Sequence, residues 1–323
     1  MADELDKILE EKYTNVLRPG YKWYGDIFML TNFLDYAEPI KNFEVRDDDV
    51  WVSSFAKAGT TWTQEMVWLI ANDLDYEGAK SLLINRFPFI DATCVLDFNN
   101  YIRYHPEFKA PGFMSNPINH LNNLKSRRFI KTHLPWNYLP LQIQAQTTNA
   151  KVIHVIRNPK DICVSYHHHS RVVEAARGTL EDFFKLFMAG KVVYGPYWDN
   201  IMSYWQRRHL PNVLIIKYED MKKDLPSVIR KVAAFLNKEI KDDQMEKLVQ
   251  HLSFEQMKKN MSVNPVTMVN VVKQCTKDVY EADGSFMRSG QVGSYKAEMT
   301  EEMIDIMDKW IQKNTAGTGL TFN

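Results

Sequence analysis

Val50-Trp51-Val52-Ser53-Ser54-Phe55-Ala56-Lys57-Ala58-Gly59-Thr60-Thr61-Trp62 is the stretch on which the fold turns. Its apolar, β-branched first half, Val50 to Phe55, reads as a buried strand. The chain then breaks into a short loop of small residues, after which Trp62, Met66, Trp68, Leu69 and Ile70 recur at helical spacing. Strand, loop and helix N-terminus together make an anion site, because free backbone N–H groups and the positive end of the helix dipole face the loop. Lys57 adds a mobile cation there, and Thr60 and Thr61 add hydroxyls. The nucleoside-triphosphate loop G-x-x-x-x-G-K-[ST] has its Lys directly after the second Gly. Here Lys57 precedes Gly59 by two residues and no glycine opens the loop, so the segment predicts a P-loop-like grip on phosphate or sulfate with a different lysine geometry. The plainer alternative is a tight turn at Gly59 with Lys57 in solvent.

Working outward, 323 residues with 45 % hydrophobic content suffice for a large core. Forty basic and forty acidic residues cancel, so nothing global points to nucleic acid or a membrane surface. Three distant cysteines, Cys94, Cys163 and Cys275, predict free thiols in a reducing compartment. The N-terminus is polar and acid-rich, and no run approaches the ~20 apolar residues of a membrane span, so a soluble, cytoplasmic chain is expected.

Further strands are expected at Phe129–His133, Lys151–Ile156 and Val213–Ile216, with helices after Pro159 and near 181–194, 197–208, 225–236 and 242–250. Interleaved strands and helices predict a single α/β domain over 1–323, its central parallel sheet flanked by helices on both faces. Residues 1–20 read as an N-terminal helical extension, and 87–124, rich in Pro, Asn and aromatics, as an irregular segment. In such sheets ligands bind beyond the carboxyl ends of the strands. That rule gathers Lys57, His133, Arg157 and Tyr218 on one rim, with Ser165 two turns into the following helix and Lys131 on the strand face of His133. A histidine beside an anion clamp can serve as general base. Each residue alone also has a structural reading: His133 as a hydrogen-bonding strand end, Arg157 as a partner of Asp161, Tyr218 and Trp62 as core. The run His167-His168-His169 is not expected to bind metal, because successive helical residues diverge by about 100°. Asp47-Asp48-Asp49 is expected to be a solvated turn.

The combination resembles the cytosolic, PAPS-dependent sulfotransferases. Phe55-Ala56-Lys57-Ala58-Gly59-Thr60-Thr61-Trp62 is similar to that family's phosphosulfate loop. Lys131-Thr132-His133, Arg157 through Ser165, Tyr218-Glu219-Asp220-Met221, Ser253-Phe254 through Asn260 and Phe286-Met287-Arg288-Ser289-Gly290 follow in the family's order. The resemblance runs from about residue 20 to the end. It implies the donor 3′-phosphoadenosine 5′-phosphosulfate (PAPS, leaving as PAP) and sulfonate transfer to a hydroxyl or amine, with no metal required. It assigns Lys57, Ala58, Gly59, Thr60 and Thr61 to the phosphosulfate, and Arg157, Ser165, Arg288, Ser289 and Gly290 to the 3′-phosphate. Trp62, Tyr218 and Phe254 would enclose the adenine, with Met257, Phe286 and Met287 beside them. His133 would be the base, helped by Lys131, and Lys57 would stabilise the leaving phosphate.

Departures from the family pattern include Ala58 for Ser, which removes one hydrogen-bond donor, Leu252 where a cofactor-contacting Thr is usual, and Ser289 for a Lys beside Arg288. The family's dimer segment is altered over Lys296–Asp305, so a monomer or weak homodimer is expected. Phe87, Phe89, Phe98, Tyr101, Tyr104, Phe108 and Phe113 are expected to contribute an aromatic wall, with Phe55, His133 and His169 also facing the acceptor. Such a wall suits a small lipophilic hydroxyl compound, a phenol, steroid or other alcohol. The same motifs would serve a dehydratase that sulfonates and then eliminates an allylic alcohol. An ATP-dependent kinase fits less well, given the Lys57 spacing. A non-catalytic nucleotide binder would have no need of both Lys57 and His133.

Overall fold

The computed structural model describes residues 2–110, 112–264, 266–277 and 287–322, apart from the side chains of Ala2, Phe113, Thr267 and Met268. Phe286 and the Phe113 side chain, both named above, lie outside the described set. Two strands, β1 (Tyr21–Tyr24) and β2 (Ile27–Leu30), form an antiparallel ribbon, which the sequence reading does not anticipate. The central sheet contains β3 (Val50–Ser54), β4 (Phe129–Thr132), β5 (Lys151–Ile156) and β6 (Val213–Lys217), all parallel, in the order β4-β3-β5-β6.

Side-chain alternation along these strands feeds two cores. Trp51, Ile130, Val152 and Ile156 enter one, while Val50, Val52, Ile153, Val155 and Ile216 enter the other. Helices cover both faces, as continuous apolar strands require. Thr60–Ala71 and Leu225–Phe235 pack on the second core, and Pro159–Val173, Leu180–Met188 and Tyr197–Trp205 on the first. The helix expected over 181–194 stops at Met188, because Gly190 turns at φ +71°.

Two readings need correction, and a third holds in part. The 87–124 segment is not irregular but a chain of short helices, including Phe98–Tyr104 and Pro117–Asn123, N-capped by Asp97 and Asn116. Seven residues are too few for a periodicity to register. Asp49 is not solvated: it is fully buried and takes a bidentate pair from Arg128 at 2.6 and 2.8 Å, although Asp47 and Asp48 are exposed. Arg157 does pair with Asp161, at 3.9 Å, and the Asp161 carboxylate also accepts from the backbone N–H groups of Gly293 and Tyr295, anchoring the C-terminal loop. All three cysteines are buried free thiols, and no described helix is long and apolar enough to cross a membrane.

Candidate active site

Parallel strands put the ends of β3, β4, β5 and β6 on one edge of the sheet, and a cavity of about 360 Å³ opens there. Lys57, Gly59, Thr60, Thr61 and Trp62 from the first loop line it, together with Lys131, His133, Arg157, Ser165 and Tyr218. Phe254, Met257, Met287, Arg288, Ser289 and Gly290 close the same cavity from the C-terminal third. Phe87, Phe89, Phe98 and His169 line it too. Five expected members do not: Ala58, Phe55, Tyr101, Tyr104 and Phe108. Ala58 is fully buried, and Phe55 packs edge-on against Tyr166, Phe187 and Tyr197 in the core. Phe55 shares the strand face of Trp51, which directs it inward. Tyr101 and Phe108 belong to a satellite cluster and Tyr104 is exposed.

The loop is shaped for close approach. Lys57 holds φ +71°, a conformation costly for a residue with a side chain and one found where function over-determines the backbone. Gly59 caps the helix at φ +110°, and a Cβ there would sit 2.6 Å from the Tyr218 ring. A Cβ on Gly290 would meet Phe254 at 2.4 Å. Both glycines therefore leave room for aromatic faces. Trp62 meets Tyr218 edge-on at 5.6 Å, Arg157 lies 4.2 Å over the Tyr218 ring, and the Tyr218 hydroxyl donates to the Gly290 carbonyl at 2.9 Å.

His133 is held on every side. Its backbone N–H donates to Asp91 at 3.2 Å, and its carbonyl accepts from Asn200 at 2.8 Å. Its ring lies between Phe89 and Tyr194, and Nδ1 is 2.8 Å from the Ser54 carbonyl. A carbonyl can only accept, so Nδ1 carries the proton and Nε2 is left with a free lone pair. Burial, then the neighbouring Lys131 ammonium, keeps the imidazole pKa well below its ordinary value, so the ring is neutral at physiological pH. Asp91, whose carboxyl burial pushes up to about 6, also accepts the Tyr194 hydroxyl at 2.5 Å.

Cations converge opposite. Burial, followed by repulsion from Lys131 and Arg157, lowers the Lys57 ammonium to about 7. Burial lowers Lys131 to about 8, and its ammonium rests 4.1 Å over the Phe89 ring. Arg157 donates to the Lys57 and Gln291 carbonyls, while its buried Nε has no hydrogen-bond partner among the described residues. Arg288 pairs with Glu298, which also holds His168. His167 faces Phe183, while His168 and His169 both line the cavity.

The arrangement suits a dianionic nucleotide beside a neutral base. The sulfotransferase domain model matches residues 47–319. The chain belongs to the sulfotransferase family. Among this sulfotransferase's relatives is the luciferin sulfotransferase of Photinus pyralis, 41 % identical over 319 residues, spanning 98 % of this chain and 85 % of that one. Sulfotransferase 1B1 of Canis lupus familiaris is 32 % identical over 309 residues, 95 % and 96 % of the two chains. Retinol dehydratase in complex with androsterone and the inactive cofactor PAP superposes with a TM-score of 0.87 at 30 % identity, over 100 % of this chain and 96 % of that one.

Sequence reasoning missed Arg18, Glu174, Asp91 and Tyr194. The first two and Tyr194 line the cavity, and Asp91 supports His133 from behind. None stands in a recognisable motif or at the end of a sheet strand; only the tertiary fold brings them to the site.

Proposed function

We propose that this sulfotransferase moves a sulfonate from PAPS to the hydroxyl of a small lipophilic acceptor, with His133 as general base. One observation carries the reading: the neutral, oriented His133 imidazole shares a cavity with the convergent cations Lys57, Lys131 and Arg157. The residues fit the donor. The Tyr218 and Phe254 rings, seated against Gly59 and Gly290, offer aromatic faces to a flat base, and Arg157 Nε and Trp62 Nε1, without hydrogen-bond partners among the described residues, offer donors to it or its phosphates.

Bound PAPS would supply an activated sulfonate and a phosphate leaving group. Lys57 and the Gly59–Thr61 backbone would hold the phosphosulfate; Arg157, Ser165, Arg288, Ser289 and Gly290 the 3′-phosphate; Trp62, Tyr218 and Phe254 the adenine, with Met257 and Met287 beside it. His133 Nε2 takes the proton of the acceptor hydroxyl. Lys57 offsets charge on the leaving phosphate, and Lys131 offsets charge on the moving group. Positioning and charge stabilisation do most of the work in such transfers, and one aimed donor typically contributes ~2.7–4 kcal/mol. Phe87, Phe89 and Phe98 give the acceptor side an apolar wall.

The likeness to retinol dehydratase favours a second reading, in which a sulfonated allylic alcohol loses sulfate by elimination. A PAPS turnover assay across phenols, steroids and a long-chain allylic alcohol, with mass detection, separates the two. A sulfated product is expected. Donor consumption with a dehydrated product would favour the dehydratase, and ATP binding in place of PAP would sink both.

A further inference from the structure

Sulfonate transfer leaves a buried ion pair in this cavity unused. Arg18 comes from the turn after the Ala2–Lys12 helix, and Glu174 caps the end of the Pro159–Val173 helix. Both line the cavity while being only 3 % and 6 % exposed, and they pair at 2.8 Å. Arg18 Nε also donates to the Tyr21 hydroxyl at 3.0 Å, and Nη1 reaches the Val95 carbonyl at 3.4 Å. The second Glu174 oxygen lies 3.9 Å from His169 Nε2. Around them the wall is apolar, with Val95, Leu96, Phe98, Val172 and Val173.

Stability does not account for this pair. Taking two charges out of water costs about as much as their attraction returns, and well-packed apolar residues often do as well or better. The donor does not account for it either, because a carboxylate opposes an anionic ligand. A pocket that is mostly apolar with a few convergent polar groups uses those groups to fix a ligand's orientation.

We infer that Arg18, Glu174 and His169 form a polar subsite that hydrogen-bonds a second, neutral polar group on the acceptor. The inference rests on the sulfonate-transfer reading above and narrows its substrate class to lipophilic compounds polar at both ends, such as diphenols, steroid diols or hydroxyketones. One end reacts at His133, and the other meets the ion pair. Charge selects neutrality. A carboxylate would face Glu174, and an ammonium would face Arg18 with Lys57 and Lys131 near by. Burial and these same cations hold the His169 imidazole well below its ordinary pKa, so it too presents a neutral ring. A hydroxyl can donate to Glu174 while accepting from Arg18; an acceptor without one desolvates the pair and gives nothing back.

Matched acceptors of equal length, with and without the second polar group, test this. Calorimetry in the presence of PAP gives their Kd values, and turnover with PAPS gives kcat/KM. The wild type is expected to favour the two-ended acceptor by roughly 10–100-fold, the range for leaving a buried polar group unpaired. His169→Phe should shrink that ratio several-fold. The paired replacement Arg18→Met with Glu174→Leu, which leaves no buried charge behind, should bring it close to one. Equal Kd values for the two acceptors in the wild type, or a ratio that survives both variants, would overturn the subsite. Equal sulfonation of both acceptors would overturn the subsite and leave the proposed function standing. Absence of any sulfonation would sink the function, and the Kd ratio would still decide the subsite.

Discussion

Lys57 is the residue whose state should change most when the donor arrives. Burial, then Lys131 and Arg157, hold it to about 7 in the free protein, so above pH 7 much of it is neutral. An anion within a few ångströms favours the charged form and pulls that value back up. Binding PAP at pH 8 should therefore take up a proton, and affinity should fall as pH rises from 7 toward 9. Calorimetry in two buffers of different ionisation enthalpy measures the uptake, and Lys57→Met should remove most of it; zero uptake in the wild type would show that Lys57 does not face the anion. Lys57, His133, Arg157 and Tyr218 were legible in the sequence because the last three follow directly on a strand of the parallel sheet and Lys57 lies in the short loop after one. Arg18 and Glu174 were not, since a helix terminus and a turn far apart in the chain meet only through the tertiary fold. Phe55 was misplaced because its proximity to Lys57 in sequence says nothing of strand parity, which sends it to the core with Trp51.

Among the elements, β3, β4, β5 and β6 were readable as apolar runs bounded by loops. The ribbon β1–β2 was not: the pattern Tyr21-Lys22-Trp23-Tyr24 is half exposed and lacks a clean alternation. The short helices of 87–124 escaped for want of length, although their Asp97 and Asn116 caps are ordinary start signals. The start of the sheet depends on a contact that no local pattern reveals. Asp49 precedes β3, and its carboxylate takes Nε and Nη2 of Arg128, just before β4, while Arg46 N–H adds a third bond at 2.9 Å. Asp49→Ala would strand a guanidinium that is 1 % exposed. A buried pair broken in this way typically costs ~3–5 kcal/mol. The urea midpoint should fall accordingly with the slope unchanged, and a loss under about 1 kcal/mol would mean that Arg128 finds other partners.

At the scale of the whole molecule, two cores grip a four-stranded sheet, and the cavity lies where the strands end. Charge balance keeps the surface neutral overall while the cavity concentrates cations, so an anionic donor is recognised locally rather than by the molecule's net field. The central proposal is that His133 acts as an oriented, neutral base beside that donor. The direct test is turnover of PAPS with one phenol by wild type and His133→Ala, with PAP binding measured on the same preparations. The account predicts a loss of at least ~10²–10⁴-fold in kcat with PAP affinity nearly unchanged. A loss of only a few-fold, with binding intact, would contradict it.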